Sequence, residues 1–388
     1  MNGIRAIPVV LAGAHGHGHW HLDNLRRLTA AGTVRLAGVC DVRPPEKDRL
    51  AGLGTPAQGA DLGELIDRTG AVVAIVCTPI HTHADLALTA AAHGAHVLLE
   101  KPPTPSYAEY ERLVAGLEAS GRACQVGFQS LGSQGVTAVR ELIADGAIGR
   151  VRGIGAAGNW VRDEQYFARA AWSGRRTLRG VDVVDGVLTN PLAHAVATAL
   201  RLDGSDRATD VAAIETELFR ANDIESDDTS CVRIRTARGT RVTVAATLCA
   251  ETAAEPYIAV HGTRGRITFW YKQDRVLLQR ASRGPEERVF ARTDLLENLL
   301  AHIAHSEELL VPPRATGAFM KVVEAIRTAA DPVPVPGRLW RAVAGERSQR
   351  RVVPGVDGLV EAAAQRLALF SELGAPWAVS QQSREVRC

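Results

Sequence analysis

Across the first third of the chain, short continuous runs of valine, isoleucine, leucine and alanine alternate with helix-patterned segments, and that alternation admits few folds. Pro8 to Ala12 reads as a buried strand, followed by a glycine-rich turn and a helix from about Trp20 to Ala31. Val34 to Asp41 is a second strand, and Ala71 to Cys77 a third clear one with a helix from about His83 to His93 behind it. Ala95 to Glu100 is another strand, a helix follows from about Tyr107 to Ser120, and Ala123 to Phe128 closes the series. Apolar runs without polar alternation belong to strands buried on both faces, so this region is read as a doubly wound parallel sheet covered by helices.

Beyond Gly149 the pattern changes. Arg150 to Trp160 looks extended, a polar Arg-rich stretch runs from Val161 to Gly180, and an apolar helix covers about Asn190 to Leu202. Strand-like stretches follow at Ala212–Arg220, Thr229–Thr236, Arg241–Leu248, Tyr257–Gly262 and Arg266–Tyr271, separated in part by tight turns. Such hairpin spacing predicts a mostly antiparallel sheet. Helices return at about Asp294–His305 and Ala315–Ala330, and Pro332, Pro334 and Pro336 lead into a last amphipathic helix near Val356–Leu373. The expected division is 1–128 for the parallel-sheet domain, 129–330 for the second domain and 331–388 for the linker and tail.

Charge excludes some partners. In 388 residues, 45 Lys and Arg nearly balance 43 Asp and Glu, and they are scattered. This offers no basic footprint for nucleic acid or an anionic membrane. No apolar run reaches the length needed to cross a bilayer. The six cysteines show no paired spacing, and Cys40, Cys77 and Cys124 lie in or beside apolar runs, as free buried thiols do. A cytoplasmic protein is expected.

The segment from Val9 to His21 follows a strand and opens a helix, the context a dinucleotide fingerprint requires. Gly13 and Gly18 take the outer positions of G-x-G-x-x-G, while His15 stands at the middle one with Gly16 and His17 beside it. Glycines there permit a tight turn and close approach of a pyrophosphate to the helix start. Asp41, ending the second strand, suits a ribose 2′-hydroxyl and favours NAD; Arg43, two residues on, keeps NADP as the alternative. Histidines 15, 17, 19 and 21 raise a metal site as another reading, but on a turn entering a helix they share no single face, so no metal is expected.

Thr78-Pro79, with His83 nearby, and Glu100-Lys101 lie at the carboxyl ends of predicted parallel strands, where such sheets bind ligands. A lysine there is suited to stabilise a developing alkoxide. Thr78-Pro79 with His83, "HVLLEKPP", "QVGFQ" from Gln125 to Gln129, "ELIADGAIGRV", and the late "DDT", "IAVHGTRGRITF" and "AFMKVVEAIRTAADP" runs together resemble the glucose-fructose oxidoreductase/inositol dehydrogenase/rhizopine catabolism (Gfo/Idh/MocA) family. The resemblance implies a Rossmann domain, an open sheet often used for oligomerisation, Lys101 beside the nicotinamide and Glu100 near its ribose. It extends the cofactor-contacting set to Thr78, Pro79, His83, Gln129 and Trp172.

The family's Asp-x-x-x-His pair appears here as Asn190 and His194, on one side of a helix by their spacing. Asn190 before Pro191 reads equally as an N-cap. An imidazole titrates near neutrality and suits removal of a hydroxyl proton. An amide cannot raise that basicity by charge; Asp185 is a candidate for the missing carboxylate. Trp160, Tyr166 and Trp172 offer aromatic faces and Arg176 an anion-binding guanidinium, with packing or solvated charge the competing readings. The resulting expectation is an NAD-dependent dehydrogenase acting on a sugar, cyclitol or related polyol, with Lys101 and His194 at the reacting oxygen, assembled as a homodimer or homotetramer. The alternatives are a redox-neutral elimination or epimerisation with retained NAD, and a non-catalytic ligand sensor.

Overall fold

The computed structural model describes residues 6–281, 283–378 and 384–387. The chain divides into two compact units, and it crosses between them more than once. One comprises Met1–Thr104, Ala108–Gly127 and Leu295–Pro313; the other comprises Pro105–Tyr107, Phe128–Asp294 and Arg314–Cys388.

The first unit holds six parallel strands: β1 (Ile7–Ala12), β2 (Val34–Cys40), β3 (Ala57–Gly59), β4 (Val73–Val76), β5 (His96–Leu99) and β6 (Cys124–Val126). Their order is β3-β2-β1-β4-β5-β6, so the chain reverses direction of travel between β1 and β4. Loops leaving the carboxyl ends of β1 and β4 diverge there and open a crevice. Helices α1 (Gly18–Ala30), α2 (Leu62–Thr69), α3 (His83–Ala92) and α4 (Tyr107–Ser120) link the strands. In α1, His21, Leu22, Leu25 and Leu28 are buried, the one-face spacing of a helix laid on a sheet. Asp61 caps α2 by accepting from the Glu64 N–H at 2.9 Å, and Gly70, at φ 61°, ends it. The β6 end is fastened by Gln125, fully buried, whose side-chain oxygen accepts from the Val311 N–H at 2.8 Å.

The second unit is built on a mixed, mostly antiparallel sheet. Its strands are β7 (Val151–Asn159), β10 (Val211–Arg220), β11 (Thr229–Thr236), β12 (Arg241–Thr247), β13 (Tyr257–Gly262), β14 (Gly265–Trp270), β15 (Arg275–Arg280), β16 (Arg283–Val289) and β17 (Val333–Pro334). The short hairpin pairs β8 (Thr177–Leu178) with β9 (Val181–Asp182), and β18 (Arg341–Ala344) with β19 (Gln349–Val352), stand apart from it. The sheet runs β16-β15-β14-β13-β7-β12-β11-β10-β17, with a tenth strand, β20 (Arg384–Arg387), also paired with β10; β7–β12 and β10–β17 are parallel and the other pairs antiparallel. The helices are α5 (Gln134–Ala144), α6 (Glu164–Phe167), α7 (Ala193–Asp203), α9 (Gly317–Thr328) and α10 (Val356–Arg366); α8 (Leu295–His305) returns to the first unit. Buried Asp228 accepts from the Ala221 and Asn222 N–H groups at 2.9 and 2.7 Å, so the "DDT" run orders the β10–β11 turn.

Central strand β7 carries glycines on both faces, and they set how closely helices approach. A Cβ on Gly158 would lie 2.0 Å from Leu192 Cδ1, and one on Gly155 would lie 1.9 Å from the Ala364 carbonyl oxygen of α10. The tail helix was expected to continue to Leu373; it ends at Arg366, where Leu367 takes φ 55°. It buries Val356, Val360, Ala363 and Ala364 against Ala157, Ala245 and Ala259, and Phe370 and Trp377 complete that core. The tail therefore covers the middle of a sheet face. Gly155→Val is expected to cost about 1–3 kcal/mol by overpacking, lowering the melting temperature and exposing apolar surface that light scattering detects as self-association. An unchanged melt would refute close α10 docking.

No helix among the described residues is long and apolar enough to cross a membrane.

Candidate active site

The glycine-rich turn is built by close approach. Gly13 has φ 87°, and a Cβ there would stand 2.3 Å from the Cys77 carbonyl oxygen; one on Gly18 would stand 2.2 Å from the Gly13 oxygen. Only glycine fits both places. Gly16, also at positive φ (59°), completes the turn, and α1 starts at once. Asp41 braces it: one carboxylate oxygen accepts from the Ala14 N–H at 2.9 Å and the other from the Arg43 N–H at 3.0 Å. His15 reaches the Arg43 carbonyl at 3.2 Å. Beyond Asp41, a cavity of about 270 Å3 is lined by Val39, Val42, Pro44, Pro45, Gln58 and Ala60. Val42 is 87% exposed, an apolar side chain standing open at a cavity mouth. Sequence reasoning did not single out this apolar patch, because Val42 and Pro44 belong to no fingerprint.

Thr78 and Pro79 lie beyond β4, where the Thr78 hydroxyl pairs with that of Thr82 at 2.6 Å. His83 does not present itself to a ligand, contrary to its expected cofactor contact. It is buried, with Nδ1 2.8 Å from the Pro102 carbonyl and Nε2 2.8 Å from the Thr78 carbonyl. Burial pushes its pKa below the usual imidazole value, against the pull of those carbonyls. Its ring ties the β4 turn to the β5 turn.

Glu100 is also buried. Oε2 accepts from the Lys101 N–H at 3.1 Å, and Oε1 faces His21 Nε2 at 3.0 Å and His17 Nε2 at 3.5 Å. Burial opposes its ionisation, but the hydrogen bonds and charge of His17 and His21 prevail and hold the carboxyl well below its ordinary range. The expectation that the alternating histidines share no face fails for this pair, whose rings meet edge to face at 5.7 Å. Lys101 follows, half-buried, at the carboxyl end of β5.

In the second unit, His194 is half-buried in the first turn of α7. The Phe128 ring packs on it edge to face, and its Nδ1 lies 3.1 Å from the Ser130 hydroxyl. Buried Thr198, one turn along α7, donates to that same hydroxyl at 2.9 Å. Ser130 keeps a second lone pair and its own proton for Nδ1; in the tautomer where it accepts from Nδ1–H, Nε2 is the basic nitrogen. Sequence reasoning missed Ser130 and Thr198; the one available signal was the one-turn spacing of Thr198 from His194.

Asn190 is not an N-cap: α7 begins at Ala193, and its N-cap is Leu192. Its amide nitrogen donates to Asp185 Oδ1 at 2.6 Å. Asp185, 7% exposed, also accepts from the Gly174 N–H at 2.7 Å and pairs with Arg169 at 3.4 Å. It therefore orients Asn190. Arg162 stacks on Trp160 and Tyr166 at 4.8 and 4.9 Å, and Arg169 on Tyr166 and Trp172 at 3.8 and 4.8 Å. The three aromatic residues thus form one wall interleaved with cations, a role that neither arginine's position announced. Gln129 opens the short turn before α5, and its carbonyl accepts from Arg292 at 3.3 Å.

Arg176, expected to bind substrate, has a structural role instead. Its Nη2 donates to the carbonyls of Ile326, Arg327 and Ala329 at 3.2, 2.8 and 2.9 Å, closing the carboxyl end of α9 rather than offering itself to a substrate. Unsatisfied terminal carbonyls and the negative helix end attract a guanidinium.

Residues 7–128 match the family model for the oxidoreductase family, NAD-binding Rossmann fold, and residues 136–268 match that for the GFO/IDH/MocA C-terminal domain. The inositol 2-dehydrogenase of Streptomyces avermitilis is 31% identical over 35% of this chain and 40% of its own length. The levoglucosan dehydrogenase of Pseudarthrobacter phenanthrenivorans is 25% identical over 60% of this chain and 64% of its own. Both alignments thus span less than two thirds of the relative. The fold of the WlbA dehydrogenase from Bordetella pertussis, solved with NADH and UDP-GlcNAcA, superposes with a TM-score of 0.69 at 21% identity, covering 86% of this chain and 99% of that one. With both halves of the family's domain pair matched in order, the chain belongs to the Gfo/Idh/MocA oxidoreductases.

Proposed function

We propose that the protein is an NAD-dependent dehydrogenase that oxidises a hydroxyl of a sugar, cyclitol or related polyol, or reduces the corresponding ketone. The observation that carries this reading is the grouping, at the carboxyl ends of β1, β2, β4 and β5, of the close-packed glycine turn, Asp41 with its apolar neighbours, and Lys101. The residues present fit a dinucleotide. Gly13 and Gly18 permit the tight turn that leads into the start of α1, where a pyrophosphate meets unpaired N–H groups, Asp41 has carboxylate lone pairs for ribose hydroxyls, and Val42 with Pro44 and Pro45 supplies an apolar seat for adenine. When bound, the nicotinamide supplies hydride exchange.

The chain's own groups supply the rest. The Lys101 ammonium stabilises negative charge on the reacting oxygen. His194, with Nδ1 held by Ser130, takes the hydroxyl proton at Nε2. Asn190, its amide nitrogen turned to Asp185, presents its oxygen to a second substrate hydroxyl. Trp160 and Tyr166 offer faces to sugar C–H surfaces.

The homodimer or homotetramer expected from sequence rested on an exposed sheet face. Because α10 covers the middle of that face, we infer that the chain does not assemble through it. The described cysteines are free and buried.

A screen of sugars, cyclitols and their acids with NAD and NADP, read by nicotinamide absorbance, tests this function. Accumulation of NADH with at least one polyol is expected. Asp41→Ala should weaken NAD about 10–100-fold, the worth of a charged hydrogen bond, and narrow the preference over NADP. Turnover without net NADH would point to a redox-neutral reaction, and inertness across the panel to a sensor.

A further inference from the structure

The alternating histidines of the first turn have separate fates. His15 is turned to the Arg43 carbonyl and meets the His19 ring edge to face. His17 and His21 instead bring both Nε2 atoms to one carboxylate oxygen, Glu100 Oε1, at 3.5 and 3.0 Å. The three donor atoms lie within 4.8 Å of one another. His21 and Glu100 are buried, whereas the His17 side chain is 53% exposed and opens the cluster to solvent. We propose that His17, His21 and Glu100 form a binding site for a divalent transition-metal ion of the zinc class on the dinucleotide-binding turn.

Two imidazoles and a carboxylate are a donor set that zinc accepts with a further position left to water. Donors about 2.0–2.2 Å from a tetrahedral ion stand roughly 3.3 Å apart. The two separations to Glu100 straddle that value, while the two histidine nitrogens, within 4.8 Å of each other, have to draw together, a movement that the exposed His17 side chain can make. The histidines alone do not make the site. The third donor arrives 79 residues after His21, at the end of β5.

The second shell sets the strength. His21 Nδ1 is buried and has no hydrogen-bond partner among the described residues. An outer-shell acceptor at that nitrogen is typically worth about 10–100-fold in metal affinity. The site is therefore an exchangeable one rather than a structural zinc. His17 is the N-cap of α1, beside Gly16 and Gly18, so metal and dinucleotide should exclude each other; this competition rests on the function proposed above.

The test uses the full chain, stripped by a chelator and titrated calorimetrically with zinc chloride, with cobalt(II) absorption reporting the ligand set. One equivalent should bind. His17→Ala and His17→Gln should each weaken binding at least about tenfold, whereas His15→Ala and His19→Ala should change it less than about threefold. Saturating NADH should raise the apparent zinc dissociation constant. Absence of binding, or binding indifferent to both His17 variants, overturns the site. Zinc binding that depends on His17 but ignores NADH supports the metal site and counts instead against the cofactor's placement on this turn.

Discussion

Replacing Lys101 with alanine is expected to lower kcat on whichever polyol the screen selects by about 10²–10³-fold, the usual loss on removing one preorganised donor from a developing oxyanion. NADH affinity should stay within about threefold, because the side chain's work lies at the reacting oxygen. The turn that carries Lys101 is held by several other groups. Its backbone N–H is held by Glu100 Oε2, the next carbonyl, Pro102, is held by His83, and β5 is paired on both sides by β4 and β6. Truncation should therefore leave the melting temperature nearly unchanged. Lys101→Arg should not restore the rate, since a planar fork replaces a compact charge. Turnover by Lys101→Ala at the wild-type rate would remove the lysine from the mechanism while leaving the dinucleotide-binding reading standing.

The parallel sheet was legible because strands buried on both faces leave unbroken apolar runs; β1, β2, β4 and β5 could be traced that way. Three-residue β3, Ala-Gln-Gly, carries no such signal. Edge strand β16 is exposed along its whole length and reads Arg-Gly-Pro-Glu-Glu-Arg-Val, so neither β16 nor its partner β15 was anticipated. Site residues divide on a similar line. Gly13, Gly18 and Asp41 announce themselves by order along the chain. Arg176 and His83 could not be assigned from sequence, because each is explained by carbonyls brought in by the fold, for Arg176 from about 150 residues away. A charge or an imidazole looks functional until its structural partner is seen. The converse holds for Ser130: an unremarkable serine became a candidate positioning residue only when the fold put it against His194.

That contact makes the His194 prediction sharper than a simple loss of rate. His194→Ala should lower kcat by about 10²–10⁴-fold, the range for a positioned general base, and should flatten the rise of kcat/KM with pH that a base accepting protons only in its neutral form produces. The sign follows from the role: only the neutral ring accepts a proton, so the wild-type rate climbs as His194 deprotonates, and the variant has nothing there to titrate. Ser130→Ala should lower kcat by roughly tenfold, about 1.4 kcal/mol in barrier for a lost hydrogen bond, because the ring then samples the wrong tautomer. The pair should be strongly non-additive. Ser130 acts only through His194, so adding Ser130→Ala to His194→Ala should cost nothing more in kcat. A double variant ten times slower than His194→Ala would mean that Ser130 serves the substrate or the fold directly, and the Thr198–Ser130–His194 chain would lose its claim to set the base.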